Sequence, residues 1–384
     1  MADPSLKGVP LADLGRATSE IESELIEAAA RVLRSGRYIL GPEVAALEEE
    51  LADYLGVSHV VGVGNGTDAL WLSLRAAGVQ PGEAVLTTPF TFFATASAIF
   101  TAGAVPVFVD IEPDTFNMDP ALLKEALSSG DPGRRRRLAA IVPVHLYGLA
   151  ADADAIAALA ADADVPVVED AAQAIGSLLP GGARVGTTGL AASFSMFPSK
   201  NLGAFGDAGC ISTSSDEVDD RLRLLRAHGA RPKYHHRVIG TNSRLDELQA
   251  ALLRVKLRKL DDYVEMRRAA AARYDELLGE VAEVRVPRVV QPGTHSFHQY
   301  TIRVPSGDRG ALKDFLAEAG VQTAIYYAIP LHLQEAVRGL GHVEGDYPVS
   351  ESAAAEVLSL PIFPGITEAE QQLVAGRIAA FFAS

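Results

Sequence analysis

Along the first two thirds of the chain, short β-branched apolar runs alternate with stretches whose apolar residues recur at helical spacing. That alternation predicts an α/β fold, with strand-helix units stacked into a mostly parallel sheet that carries helices on both faces. The candidate strands are residues 59–63, 84–88, 105–110, 138–144, 165–170 and 192–197, each apolar enough to be covered on two sides. The helices between them carry their own punctuation. Val44, Leu47 and Leu51 fall on one face of a helix over 43–55 that Gly56 stops, and Asp119 before Pro120 reads as an N-cap ahead of a first-turn proline. The alanine-rich stretch 150–163 reads as one more helix.

From residue 244 to about 278 the pattern becomes one long, charged, amphipathic helix, with Leu245, Leu248, Leu252 and Val255 on a single face. The domain junction is placed there. Residues 15–255 then form a large domain and 256–384 a smaller α/β domain, built from strands near 284–290 and 298–304, a helix over 309–319 and a helical C-terminus after Thr367. The segment 1–14 is expected to pack on the small domain or on a partner. One stretch invites a different reading, because 84–109 holds no charge and is long enough to span a bilayer. Pro89 and Pro106 would break a spanning helix, and Thr87, Thr88, Thr91, Thr95, Ser97 and Thr101 would lack partners in hydrocarbon. A buried strand, helix and strand fits it better, and no membrane association is expected.

Composition narrows the function classes. Of 384 residues, 48% are hydrophobic and 22% charged, the balance of a folded, enzyme-sized protein. A net charge of −15 argues against a sequence-independent hold on nucleic acid, which requires a basic face. The one basic run, Arg134 to Arg137, reads as a solvated loop. A single cysteine, Cys210, allows neither an internal disulfide nor a cysteine-based zinc site, so no metal is expected and a reducing cytoplasm is the natural setting. Residues 1–10 show neither a basic region nor an apolar run, so no targeting segment is expected.

Three segments carry chemistry. In VVGVGNGTDALWLSL (60–74) a strand runs through Gly62, Gly64 and Gly66 into a helix starting at Thr67. Glycines admit backbone N–H groups to an anion, and the helix start adds orphan donors and positive dipole. It is not a Walker loop, and its spacing is wrong for a dinucleotide fingerprint. In VPVVEDAAQ (165–173) a buried strand ends in Glu169 and Asp170, with Gln173 close behind, at the strand end where open α/β sheets bind ligands. A buried Asp170 needs a cation or several donors, and a protonated ring nitrogen is a candidate. In SFSMFPSKNLGAFGDAG (193–209) Lys200 sits among apolar residues, which weakens its hold on its proton and makes it a usable amine nucleophile toward a carbonyl. Each segment also has a plain structural reading: an ordinary glycine-rich turn, a capping acid, a surface-loop lysine.

In this order, and with GTNSR at 240–244 and Pro330-Leu331-His332, these segments resemble the DegT/DnrJ sugar aminotransferases, pyridoxal phosphate enzymes of fold type I. The likeness runs from GPEVAALE at Gly41 through NGTDAL, TPFTFFAT, VPVHLYG, VEDAAQAIG, FPSKNLGAFGD, RAHG and NSRLDELQA to VLSLPIFP. It implies a large domain with a mostly parallel seven-stranded sheet flanked by helices, plus a smaller C-terminal α/β domain. It also implies roles. Lys200 would hold the cofactor as a Schiff base and then act as acid and base in the proton shift. Asp170 would pair with the ring nitrogen, Gln173 would contact the ring hydroxyl and Phe92 would stack on the ring. Thr67, Ser195 and backbone donors around Gly66 and Asp68 would hold the phosphate, with Asn242 reaching it from the partner subunit of a homodimer with shared sites. His332, Arg244, Lys233, Tyr234 and His236 match positions near the sugar nucleotide, the last four from the neighbouring subunit. His228 and His298 match family patterns too, and receive no chemistry.

The resemblance implies transfer of an amino group from L-glutamate or glutamine to a keto group of a nucleotide-linked sugar. The segment KYHHRVIGTNSRLDELQAALLRVKL is more similar to members acting at C3, which favours a 3-keto hexose on dTDP or UDP. A 4-keto sugar aminotransferase, a cyclitol aminotransferase and a non-catalytic sensor or regulatory protein on the same scaffold are the alternatives. A dehydratase of this family would carry histidine in place of Lys200. Two departures stand out: Tyr326-Tyr327-Ala328-Ile329-Pro330 where relatives commonly read HYPIP, and Gly206-Asp207-Ala208-Gly209 where they read GDGG. The first puts a phenol, Tyr326, into the expected sugar pocket.

Overall fold

A computed structural model describes residues 8–129 and 136–383, so Arg134 and Arg135 of the basic run, and residues 1–7, lie outside the described residues. The described residues form strands β1 (His59–Val63), β2 (Ala84–Thr87), β3 (Val105–Phe108), β4 (Leu138–Ile141), β5 (Val168–Asp170), β6 (Ala191–Ser195), β7 (Gly209–Thr213), β8 (Tyr300–Arg303) and β9 (Val357–Leu360). The first seven make one sheet in the spatial order β1-β7-β6-β5-β4-β2-β3. Parallel bridges at Ile141–Val167 and Val144–Asp170 join its two hydrogen-bonded runs. All neighbours pair in parallel except β7, which runs antiparallel to both β1 and β6.

The strands of this sheet are almost wholly buried because helices cover both faces. On one side Leu70 and Leu74 of the helix Gly66–Ala76 pack with Val85, Ala98 and Ile99. On the other, Leu47 and Leu51 of Pro42–Leu55 pack with Phe194 and Leu253. Each such fully buried side chain contributes roughly 1.5–3 kcal/mol. The local signals act as read: Gly56 ends its helix in the left-handed region at φ 76°, and the Asp119 carboxylate accepts from the Ala121 N–H at 2.7 Å. The uncharged stretch divides into β2, the helix Ala94–Thr101 and β3, and no helix among the described residues is long and apolar enough to cross a membrane.

Three expectations change. β7 lies in none of the expected strands, yet all five of its residues are buried at the centre of the left half of the sheet. The single helix over 244–278 is two, Glu247–Leu257 and Leu260–Leu278, broken at Arg258 and Lys259. The break lets each half serve a different core: Leu252 and Val255 pack on Leu25 and Val32 of the helix Glu22–Ser35, whereas Ala271, Tyr274 and Leu278 turn to the C-terminal core. No strand forms over 284–290, where only Arg285 bridges to Arg303, since Pro287 removes a ladder donor.

That C-terminal core surrounds the antiparallel pair β8-β9 and takes in the helices Arg309–Glu318 and Glu368–Phe382, the latter opened by a capping box between Thr367 and Glu370. Val9 joins it by pairing with Val321.

Candidate active site

Because the parallel strands point their carboxyl ends one way and β7 begins at that same edge, the loops after β1, β2, β4, β5 and β6 converge. They line a cavity of about 420 Å³, which His298, Gln299, Tyr326 and Tyr327 close from the C-terminal part of the chain.

Asp170 ends β5 and is 7% exposed. Its Oδ2 accepts from the Thr95 hydroxyl at 2.8 Å and its Oδ1 from the Ala172 N–H at 3.2 Å. Burial pushes this carboxyl up even so, against those two donors and the nearby Lys200. The site is a buried anion short of a cation. Lys200 sits in the turn after β6, where its N–H donates to the Phe197 carbonyl at 2.8 Å, and buried Lys256 donates to the Gly203 carbonyl three residues on. Only glycine fits at 203, where a Cβ would lie 2.1 Å from the Pro198 carbonyl oxygen. Burial pulls the Lys200 amine down to about 8, opposed by the field of Asp170. Its Nζ lies 3.5 Å from His298 Nε2.

Gln173 is fixed at both ends of its amide. Its Oε1 accepts from the Tyr147 N–H at 2.7 Å and its Nε2 donates to the Tyr327 hydroxyl at 2.9 Å. Phe92 is half exposed within the cavity wall, its ring centroid 5.9 Å from that of Tyr327.

At the other end Asn65 caps the helix Gly66–Ala76 by accepting from the Asp68 N–H at 2.8 Å. The Asp68 amide is therefore engaged, and the N–H groups of Gly66 and Thr67 are the ones left without an intrahelical acceptor. A Cβ on Gly66 would lie 2.6 Å from that of Ser195, so the helix start sits hard against the end of β6, and the Thr67 and Ser195 hydroxyls line the cavity with it.

The expected site residues thus divide. Gly66, Thr67, Phe92, Asp170, Gln173, Ser195, Lys200 and Tyr326 line one cavity. Asn242, Lys233, Tyr234 and His236 are exposed and lie outside it, as does Arg244. His332 is buried away from it, its Nε2 2.9 Å from Glu351 Oε1 and its ring packed on Tyr347. The cavity also holds Tyr147, Tyr327 and His298, and Thr95 stands behind Asp170; no spacing in the sequence ties these to Lys200 or Asp170.

These walls suit a flat ring that carries a phosphate and a basic nitrogen. The helix start and two hydroxyls match the anion, the under-compensated Asp170 matches a protonated nitrogen, Phe92 offers an aromatic face and Lys200 an amine. The residues present fit pyridoxal 5'-phosphate.

The sequence profile of the DegT/DnrJ/EryC1/StrS aminotransferase family matches residues 19–379. A pleiotropic regulatory protein of Geobacillus stearothermophilus is 49% identical, over 97% of this chain and 98% of that one. The dTDP-3-amino-3,4,6-trideoxy-alpha-D-glucose transaminase of Streptomyces venezuelae is 43% identical, over 93% of this chain and 91% of that one. The crystal structure of S. venezuelae DesV in complex with a ketimine intermediate has a TM-score of 0.93 at 40% identity, covering 98% of this chain and 99% of that one. The chain belongs to the DegT/DnrJ/EryC1/StrS aminotransferase family and is a fold type I, pyridoxal phosphate-dependent sugar aminotransferase.

Proposed function

We propose that the chain transfers an amino group from L-glutamate or L-glutamine to the C3 keto group of a hexose linked to dTDP or UDP. The observation that carries this is Lys200 and Asp170 in one cavity, in a chain 43% identical to a 3-amino-sugar transaminase. When bound, pyridoxal phosphate supplies the electron sink that lets a carbon beside the nitrogen give up its proton. The chain's own residues do the rest. Lys200 Nζ, near neutrality through burial, takes that proton from one carbon and returns it to another. Asp170 would keep the ring nitrogen protonated, and Gln173, braced by Tyr147 and Tyr327, would contact the ring hydroxyl. Gly66, Thr67 and Ser195 bind the phosphate, and Tyr326 faces the sugar.

A homodimer completes the site in this reading. Tyr38, Ile39, Leu40, Phe205, Val238 and Ile239 leave apolar surface exposed that a partner subunit would cover. Asn242, Arg244, Lys233, Tyr234 and His236 lie outside their own cavity, free to enter the partner's and meet a phosphate or diphosphate there. His332 packs on Glu351 and steadies the turn whose Leu331 N–H donates to the Pro89 carbonyl, so its effect on the sugar is exerted through that turn. The cytoplasm suits a chain whose lone cysteine is buried and unpaired.

The name of the 49% identical relative favours a second reading, a regulatory protein without turnover. The retained Lys200 and Asp170 count against it. A panel of dTDP- and UDP-linked 3-keto and 4-keto hexoses and a cyclitol ketone, with either donor, tests the assignment by mass spectrometry of the aminated product. Amination is expected fastest on a 3-keto sugar. Turnover confined to 4-keto sugars or cyclitols would overturn the acceptor, and none on any ketone would favour the regulatory reading.

A further inference from the structure

We propose that His298 is a positioning residue for Lys200: its Nε2 accepts a hydrogen bond from Lys200 Nζ and holds that amine on the cavity floor whenever it is not bonded to the cofactor. The proposal rests on the reading of Lys200 as the group that moves the proton.

His145 provides the contrast; His332 also leaves its Nδ1 unpartnered, but its Nε2 is held by a carboxylate, Glu351, outside the cavity. His145 is fully buried and both its ring nitrogens are used: Nδ1 accepts from the Ala151 N–H at 3.0 Å and Nε2 donates to Glu169 at 2.9 Å. Glu169 takes three backbone N–H groups as well, so that pair is a closed structural network. His298 is 6% exposed, and its Nδ1 has no partner among the described residues. Among the described residues its ring makes one hydrogen-bonding contact, with Lys200 Nζ at 3.5 Å, long, as such contacts are before substrate tightens a site. A histidine kept for packing alone would bury this polarity at a cost that an apolar ring avoids.

The backbone beside it is held in an unfavourable shape. Phe297 has a φ of 46°, the left-handed region that an aromatic residue seldom adopts. Three contacts enforce it. The Phe297 N–H donates to His295 Nδ1 at 3.0 Å, its ring stacks on His295 with centroids 3.9 Å apart, and its carbonyl accepts from the buried Arg267 guanidinium at 3.2 Å. Together they aim the next side chain, His298, into the cavity.

The surrounding charges support an acceptor role. Burial, then Lys200, Arg267 and His295, hold the imidazole well below its ordinary range, so it is neutral, while the field of Asp170 acts on Lys200. With the ring proton on Nδ1, the Nε2 lone pair is free for an N–H of Lys200. That contact favours the ammonium form and directs one N–H away from the reacting carbon.

The test uses the cofactor-free protein and the loaded enzyme. Modification of Lys200 by cyanate, followed by peptide mass spectrometry over about pH 6 to 10, is compared in wild type, His298→Phe and His298→Asn. The Phe variant is expected to move the midpoint of labelling down by about half a unit, and the Asn variant, which keeps an acceptor, to restore most of that shift. In the loaded enzyme the glutamate half-reaction should slow about tenfold in the Phe variant and clearly less in the Asn variant. His298→Leu replaces the Phe variant if that does not fold. Unshifted labelling with a normal half-reaction would overturn the proposal, and so would equal slowing in both variants with unshifted midpoints, the pattern of a packing role. Lys200→Ala separates the two readings: if it is inactive while His298→Phe behaves as wild type, only the His298 proposal fails, and if it is active, both do.

Discussion

At the scale of single residues, the chemistry turns on two buried groups, Lys200 and Asp170, whose fields offset their burial only in part. Lys200→Ala is expected to retain cofactor through the phosphate and ring contacts while losing about 10²–10⁴-fold or more in transamination, measured as absorbance change in single turnovers. Retained turnover would show that another group moves the proton. Since Lys200 titrates at about 8 when free, its reactive amine form grows as pH rises through that value. Labelling of Lys200 in the cofactor-free protein should therefore be half-maximal about two units below that of exposed lysines. Asp170→Asn should slow both half-reactions about 10²-fold with little loss of folding stability, because the neutral amide no longer favours a protonated ring nitrogen. An unchanged rate would remove Asp170 from that role. Both residues were legible because a charge in an otherwise apolar run is conspicuous. Thr95, Tyr147, Tyr327 and His298 were not, since their relevance comes only from which loops the sheet brings together.

Among elements, the start of the helix Gly66–Ala76 matters most for cofactor binding. Gly66→Ala is expected to push that helix off Ser195 and weaken pyridoxal phosphate affinity about tenfold or more, read by equilibrium titration of cofactor fluorescence, while Lys200 stays in place. Affinity within twofold of wild type would contradict the phosphate seat. Glu247 offers a purely structural counterpart. Its carboxylate accepts from the Gly41, Glu43 and Val44 N–H groups at 2.6, 2.9 and 3.0 Å, capping the helix Pro42–Leu55 from a distant part of the chain. Glu247→Ala should cost about 1–3 kcal/mol or more in urea unfolding, since it strands several buried donors. The elements also show where sequence reading stops. Helix ends were readable from Gly56, Asp119 and Thr367, because caps are local chemistry. β7 escaped because GCIST has neither alternation nor length, and its strandhood depends on β1 and β6 pairing on either side. The stripe from Leu245 to Val255 continues smoothly in sequence past Arg258, and only its change of packing partner breaks the helix there.

For the whole molecule, the proposed dimer explains why Arg244, Lys233, Tyr234 and His236, four of the six expected substrate residues, lie outside the cavity of their own chain. Phe205→Asp with Ile239→Asp is expected to give a monomer by light scattering with activity reduced at least 10²-fold, because Asn242 and the basic loop are then withdrawn from the neighbouring site. A fully active monomer would contradict shared sites. The order of the sheet was legible as a class, and the position of the cavity followed from the carboxyl ends of its strands. What a single chain withheld was everything a second chain would supply.

The most direct test of the central claim is the visible absorbance of the purified protein, reconstituted with pyridoxal phosphate, during addition of L-glutamate. The yellow band of lysine-bound cofactor is expected to be present and to convert to the near-ultraviolet band of the aminated cofactor, in wild type and not in Lys200→Ala. A protein that takes up no cofactor, or one whose band glutamate and glutamine both leave unchanged, would contradict that claim.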